Sequence, residues 1–291
     1  MLRVGESERK MVRFMKVLVT GANGYLGQGV VDALLRRDIE VIATGRKTDK
    51  VNEKAIRVDC DLFEISDPFA FFGQPDILLH MAWRDGFVHY ADSHVADLPR
   101  HYSFLKKFAE SNVRRIVGVG SMHEIGFFEG CISESTPCNP ITPYGISKNA
   151  LRQLTEILCQ RNDKQFQWLR GYYIVGNAKS GSSIFSKIAL AEADNKTDFP
   201  FTMGQNQFDF VDYQVFCDQV ADAVIQDTVL GIINICSGRP EKLADRVERF
   251  IQENNYKIKL KYGAFPDRPY DSKAVWGDDR KIRTILSLKS E

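Results

Sequence analysis

The run Lys16-Val-Leu-Val-Thr-Gly-Ala-Asn-Gly-Tyr-Leu-Gly27 constrains this chain more than any other stretch. Val17, Leu18 and Val19 form a short apolar run closed by Gly21, the pattern of a buried parallel strand. Gly21, Gly24 and Gly27 follow at three-residue spacing, and an amphipathic run from Tyr25 to Arg37 predicts a helix directly after them. A strand that turns sharply into a helix leaves the first helical N–H groups unpaired and aimed at one point, where a pyrophosphate can sit. The first glycine permits the turn, the second lets a ligand approach the backbone, and the third lets the helix pack on the strand. Strand, glycine trio and helix together favour dinucleotide binding over a bland tight turn, with Gly21, Asn23, Gly24, Tyr25, Leu26 and Gly27 as the binding residues.

The rest of the first half repeats this rhythm. Strands are expected at Ile39–Thr44, Ala55–Val58, Pro75–His80 and Val113–Val119, a further one at Trp168–Val175, and helices at 97–110 and 144–160. Alternation over more than a hundred residues predicts an α/β fold, a doubly wound Rossmann-type parallel sheet with a smaller C-terminal substrate-binding lobe. The expected division is a flexible leader over 1–14, a dinucleotide-binding domain over 15–176 and the smaller lobe over 177–291, with strand and helix 210–236 partly returning to the first domain. In the second half Asn177–Ser183 and Ala193–Gln207 read as loops, with shorter elements at Gln214–Gln226, Gly231–Cys236 and Leu243–Glu253.

At 291 residues with net charge +1 and no basic block, nucleic acid and anionic membrane are poor partners. No signal peptide or membrane-spanning apolar run is visible, and the six cysteines lack paired spacing. A cytoplasmic protein with reduced thiols and no metal is the expectation.

Tyr144 and Lys148 lie four apart on a predicted helix and so share a face. An ammonium beside a phenol favours the phenolate, which would lower the Tyr144 pKa and make it an acid/base near neutrality. Ser121, near the end of the fifth strand, is placed to hold a carbonyl or alcohol oxygen beside it.

Taken together, the glycine trio, Asp61-Leu62, His80-Met-Ala82, Ser121 and Tyr144-Gly-Ile-Ser-Lys148 resemble the extended short-chain dehydrogenase/reductase family of NAD(P)-dependent nucleotide-sugar epimerases, dehydratases and reductases. Leu169-Arg170, Phe208–Asp212, Asn234, Ser237-Gly238 and Arg268 extend the resemblance over roughly 16–285. The resemblance implies Asp61 and Leu62 at the adenine, Met81 and Ala82 at the ribose and nicotinamide, and Tyr144, Lys148 and Ser121 as the catalytic group. It further implies Arg268 at the substrate diphosphate, and Trp83, Met122, His123 and Asn177 on the loops that shape the sugar pocket. A homodimer through the 97–110 and 144–160 helices is implied as well.

Two departures narrow the choice. Gly45 stands where the family carries a ribose-binding carboxylate and Arg46 follows, which favours NADP while leaving NAD open. Met122 and His123 replace the Asp-Glu pair of the 4,6-dehydratases, and a thioether cannot protonate a leaving hydroxyl. The leading expectation is an oxidoreductase that reduces a nucleotide-linked 4-keto-6-deoxyhexose. The alternatives are an NAD-dependent nucleotide-sugar 4-epimerase and, from another class, a non-catalytic NADP-binding protein.

Overall fold

The computed structural model describes residues 15–176, 183–266 and 272–288. Strand β1 (Lys16–Thr20) lies at the centre of the main sheet, flanked by β2 (Glu40–Gly45) and then β3 (Ile56–Asp59) on one side. On the other side follow β4 (Ile77–His80), β5 (Arg115–Ser121), β7 (Gln165–Gly171) and β11 (Gly231–Ile235), all parallel. Successive side chains of a buried strand serve opposite faces, and the sequence obeys this residue by residue. Val17 and Val19 of β1 enter the core under α1 (Tyr25–Leu35) and α6 (Tyr213–Ile225), whereas Leu18 enters the core under α3 (Ser93–Ala109) and α4 (Pro143–Arg161). Ile77 and Leu79 against Leu78, and Leu169 against Trp168, divide in the same way. α8 (Arg280–Ser287) joins the first face beside α6, and the short α2 (Pro68–Phe71) rests on α3.

Chain order reverses between β1 and β4, so the crevice above their carboxyl ends is the place where such a sheet takes a ligand. Gly21 closes β1 there with φ +68°, a conformation L side chains rarely adopt, and a Cβ on it would lie 2.7 Å from the Ala82 Cα. A Cβ on Gly27 would overlap the Gly21 carbonyl oxygen, so the helix can start this close to the strand only with glycine.

The expected strand Trp168–Val175 is in fact two. β7 ends at Gly171, Tyr172 is buried, and β8 (Tyr173–Val175) leaves the main sheet to pair with β10 (Gln207–Asp212). β10 also joins β12 (Pro240–Lys242) and β14 (Ala274–Gly277), the latter pairing with β6 (Gly130–Ile132). α5 (Ile184–Ala193) and α7 (Leu243–Glu253) cover this second sheet around Phe185, Phe210 and Phe250. The stretch 193–207, expected as loop, contains the short strand β9 (Asp198–Pro200), which pairs with β13 (Lys259–Lys261). β11 then returns to the main sheet beside β7.

The glycines of β5 answer a packing demand that composition alone does not reveal. Gly118 and Gly120 stand opposite Trp168 and Arg170 on β7, and the Trp168 side chain lies across both. A Cβ on Gly118 would overlap the indole ring, against a side chain 1% exposed. Gly118→Ala is therefore expected to cost about 2–3 kcal/mol in denaturant unfolding through overpacking. Gly86→Ala, whose Cβ would find its nearest neighbour 4.0 Å away on Trp83, should stay within about 0.5 kcal/mol.

Candidate active site

A cavity of about 1820 Å³ runs from the glycine turn, past the carboxyl ends of β1, β4 and β5, to the second sheet. Every sequence-predicted site residue within the described part of the chain lines it, while Asn177 and Arg268 lie outside the described residues. α1 begins at Gly24 with no side-chain cap, so its first N–H groups remain free to meet a ligand at the cavity edge. The donor set and the close approach that the glycines allow fit a dinucleotide pyrophosphate.

The remaining expected cofactor residues are built around this turn. Asn23 donates to the Asp49 carboxylate at 3.0 Å and accepts from the Lys50 N–H at 2.9 Å, tying the glycine turn to the loop after β2. Arg46 is exposed on that same loop. Asp61 caps the 3-10 turn Leu62–Glu64 by accepting from the Phe63 N–H, with Arg100 at 3.5 Å, and Leu62 is mostly buried beneath. Tyr25 turns its ring onto Tyr213 of α6, stacked at 4.3 Å between centroids, and burial raises its pKa to about 12. The Thr20 hydroxyl accepts from the Met81 and Ala82 N–H groups at 3.2 and 3.1 Å, which holds the backbone after β4 against the turn.

Tyr144 stands in the first turn of α4, whose Pro143 and Thr142 cap fix the helix start; the Thr142 hydroxyl accepts from the Gly145 N–H at 3.2 Å. The Tyr144 N–H donates to the His89 carbonyl at 3.1 Å, so the loop after β4 is bonded to the same turn. One turn further on, Lys148 is buried, donates to the Val119 carbonyl at 2.8 Å, and holds its ammonium 4.1 Å above the Trp83 ring.

The electrostatics correct one expectation. Burial raises the Tyr144 phenol to about 12, while the Ser121 hydroxyl beside it pulls the other way. Burial pulls the Lys148 ammonium down to about 8. The lysine shares a face with the tyrosine, but one of its N–H groups donates to Val119 and the ammonium rests on the indole, and desolvation outweighs any help it gives the phenolate. In this chain the phenol is a proton holder, and the ammonium is the weaker acid made stronger.

Of the expected sugar-pocket residues, Trp83 is the platform under Lys148 and donates from its indole to His94 at 3.0 Å. Met122 is largely buried beside Ile125, Tyr172 and Val275, with an edge on the cavity. His123 lies edge-on to Tyr144 at 6.2 Å. Sequence reasoning passed over the company His123 keeps. All five histidines gather here: His89 is stacked on Tyr144 at 5.0 Å and 7°, His94 is 5.2 Å from Tyr144, and His101 is stacked on Trp83 at 4.7 Å. His80 bonds His101 at 2.9 Å. Burial holds His80, His89, His101 and His123 below the ordinary imidazole range, His101 at about 3 and His123 at about 4. The one signal available was that a chain this long carries so few histidines and that four fall between 80 and 101. Among the described residues no cluster of ligands is arranged for a metal ion, and no helix is long and apolar enough to cross a membrane. The six cysteines are free thiols.

Comparison with known proteins points one way. The profile of the NAD-dependent epimerase/dehydratase family matches residues 17–236. A dTDP-6-deoxy-L-talose 4-dehydrogenase (NAD(+)) from Aggregatibacter actinomycetemcomitans is 41% identical over 269 residues, 90% of this chain and 99% of that protein. A UDP-N-acetylglucosamine 4-epimerase from Methanobrevibacter ruminantium, solved with UDP-N-acetylmuramic acid, superposes with TM-score 0.80 at 19% identity, covering 94% of this chain and 92% of that one. A Thermus thermophilus UDP-glucose 4-epimerase, solved with NAD, superposes with TM-score 0.78 at 18% identity over 95% and 94%.

The neutral histidines set a pH dependence of stability. A buried imidazole with a lowered pKa binds fewer protons folded than unfolded, so its contribution is complete above about 6.5 and is lost as pH falls toward the folded values of about 4 for His123 and about 3 for His101. The melting temperature is expected to fall by about 5 °C or more between pH 7.5 and pH 5, and His123→Phe should flatten that slope in a thermal scan. An unchanged slope in the variant would remove His123 from this account.

Proposed function

This chain belongs to the NAD-dependent epimerase/dehydratase family, and we propose that within it the protein interconverts the 4-keto and 4-hydroxyl forms of a nucleotide-linked 6-deoxyhexose, serving as a 4-keto reductase. The observation that carries this reading is the phenol of Tyr144 with the Ser121 hydroxyl beside it, set where the cavity leaves the glycine turn and opens toward the second sheet. Beyond it an aromatic wall passes from His123 to Tyr173 at 6.4 Å and on to Phe208 at 4.7 Å. Such a wall receives a sugar methyl group better than a hydroxymethyl group, whose hydroxyl would lose its water uncompensated. A relative named for oxidation at C4 of a 6-deoxyhexose supports the same reading.

When bound, the nicotinamide supplies hydride to the keto carbon. Tyr144 then gives its phenolic proton to the oxygen of that carbon, and Ser121 donates a hydrogen bond to the same oxygen. A phenol held at about 12 by burial keeps its proton until a stronger base, the new alkoxide, forms beside it. Lys148, brought down to about 8, is able to replace that proton near neutral pH. Either dinucleotide is accepted in this reading: the named relative uses NAD(+), while Arg46 and Gly45 suit a 2′-phosphate. The protein pairs through α3 and α4, which expose Val95, Ile146 and Ile157.

A panel of nucleotide-linked 4-keto-6-deoxyhexoses with NADH and NADPH tests the assignment. One reduced dinucleotide should be consumed per sugar reduced. Inversion at C4 with no net change in reduced nicotinamide would replace this reading with an epimerase. Tyr144→Phe should lower kcat by about 10²–10⁴ with dinucleotide affinity unchanged. Arg46→Glu should raise KM for NADPH about tenfold more than KM for NADH.

A further inference from the structure

The histidines around Tyr144 divide by what their ring nitrogens do. His80 bonds Thr20 through Nδ1 and His101 through Nε2, both at 2.9 Å. His94 accepts at Nδ1 from the Trp83 indole at 3.0 Å and donates from Nε2 to the Val88 carbonyl at 2.9 Å. These three rings serve the fold. His89 and His123 do not: among the described residues, no protein group bonds to any of their ring nitrogens. Both rings line the cavity with centroids 4.4 Å apart, and His89 lies flat on the Tyr144 ring at 5.0 Å and 7°.

Both rings are held in register with the catalytic groups. The Val88 carbonyl is taken by His94, and the next carbonyl, that of His89, accepts from the Tyr144 N–H at 3.1 Å. His123 stands two residues after Ser121, whose hydroxyl accepts from the His123 N–H at 3.3 Å. Burial keeps both imidazoles uncharged near neutral pH, so each offers one N–H donor and one acceptor. Polar groups withdrawn from water cost free energy until something pairs with them, and in a binding cavity that partner is the ligand. One hydroxyl placed between the two rings satisfies both, accepting from one and donating to the other.

We propose that His89 and His123 together read the C3 hydroxyl of the sugar and so select a 3-hydroxy sugar over its 3-deoxy counterpart. This rests on the reading of the site as a 4-keto reductase. With the C4 oxygen at Tyr144 and Ser121, the carbons on either side are C3, which bears a hydroxyl, and C5, which bears the methyl group. His89, His123, Tyr173 and Phe208 form a row whose successive centroids are 4.4, 6.4 and 4.7 Å apart. The methyl group belongs at the Tyr173 and Phe208 end, where no water-bound hydroxyl is favoured. C3 then falls at the imidazole end. A sugar lacking that hydroxyl leaves the ring nitrogens unpaired, which is the arrangement that discriminates most strongly between such analogues.

The test compares reduction of a dTDP-linked 4-keto-6-deoxyhexose, the carrier being that of the named relative, with reduction of its 3-deoxy counterpart at saturating reduced dinucleotide. Wild type should favour the 3-hydroxy sugar by about 10² in kcat/KM. His89→Phe and His123→Phe each keep a flat ring and remove the nitrogens. Each should lower kcat/KM for the 3-hydroxy sugar by about tenfold and that for the 3-deoxy sugar far less, and together they should bring the ratio near one. His89→Gln, which keeps a donor and an acceptor, should hold the ratio closer to wild type than His89→Phe does. A wild-type enzyme without preference, a double phenylalanine variant that keeps the preference, or one that loses both activities by the same factor overturns the proposal. If wild type reduces neither sugar, the reductase reading has failed and the proposal falls with it, whereas a working reductase whose ratio ignores both histidines fails the proposal alone.

Discussion

The hydroxyl of Thr20 is the joint on which the site depends. It is buried at the end of β1, accepts from the N–H groups of Met81 and Ala82, and pairs with the His80 Nδ1 at 2.9 Å. With both acceptor positions taken by N–H groups, its proton goes to His80, which must then carry its own proton on Nε2 and pass it toward the His101 Nδ1 at 2.9 Å. One hydroxyl thus orients two imidazoles and fixes the chain after β4. His101 supports Trp83, and Trp83 supports the ammonium of Lys148. The glycine turn and the helix that carries Tyr144 are distant in sequence, yet they are coupled through four buried side chains and the half-buried Trp83 in direct contact.

The strand and helix rhythm was legible because a two-face parallel sheet leaves a direct trace: apolar runs bounded by glycine, then amphipathic helices. That the glycine turn, Ser121, Tyr144 and Lys148 would face one cavity was legible, because the ends of parallel strands and the spacing on one helix place them together. The split at Tyr172 was not, since an apolar run does not announce that its two halves join different sheets. β9 and β13 were missed because strands of three residues in polar surroundings leave no period to detect. Gly118 and Gly120 looked like ordinary strand glycines until Trp168 was seen lying across them.

The protonation of the site escaped sequence reasoning for a different reason. Spacing on a helix says which side chains share a face but not how much water each retains. Lys148 and Tyr144 share a face as expected, yet both are removed from solvent, and removal penalises the charged form of each: the ammonium falls and the phenol rises. Two groups that would ordinarily titrate together are moved toward opposite sides, the lysine toward neutral pH and the tyrosine away from it.

A buried carboxylate is tolerable behind β5 because Glu124 accepts from the Ser121 N–H and the Trp168 indole and lies 3.6 Å from the Arg170 guanidinium. His89 and His123 beside Tyr144 are held neutral by burial and cannot balance the lysine charge, and Trp83 offers only the face of a ring. Glu124 offsets part of the desolvation that lowers the Lys148 ammonium. The same carboxylate needs a donor-rich place to sit. The glycines of β5 provide it, because the Trp168 indole reaches Glu124 only where Gly120 has no Cβ. The packing of the sheet and the seat of that carboxylate are therefore set by one arrangement of three residues: Gly120, Trp168 and Glu124.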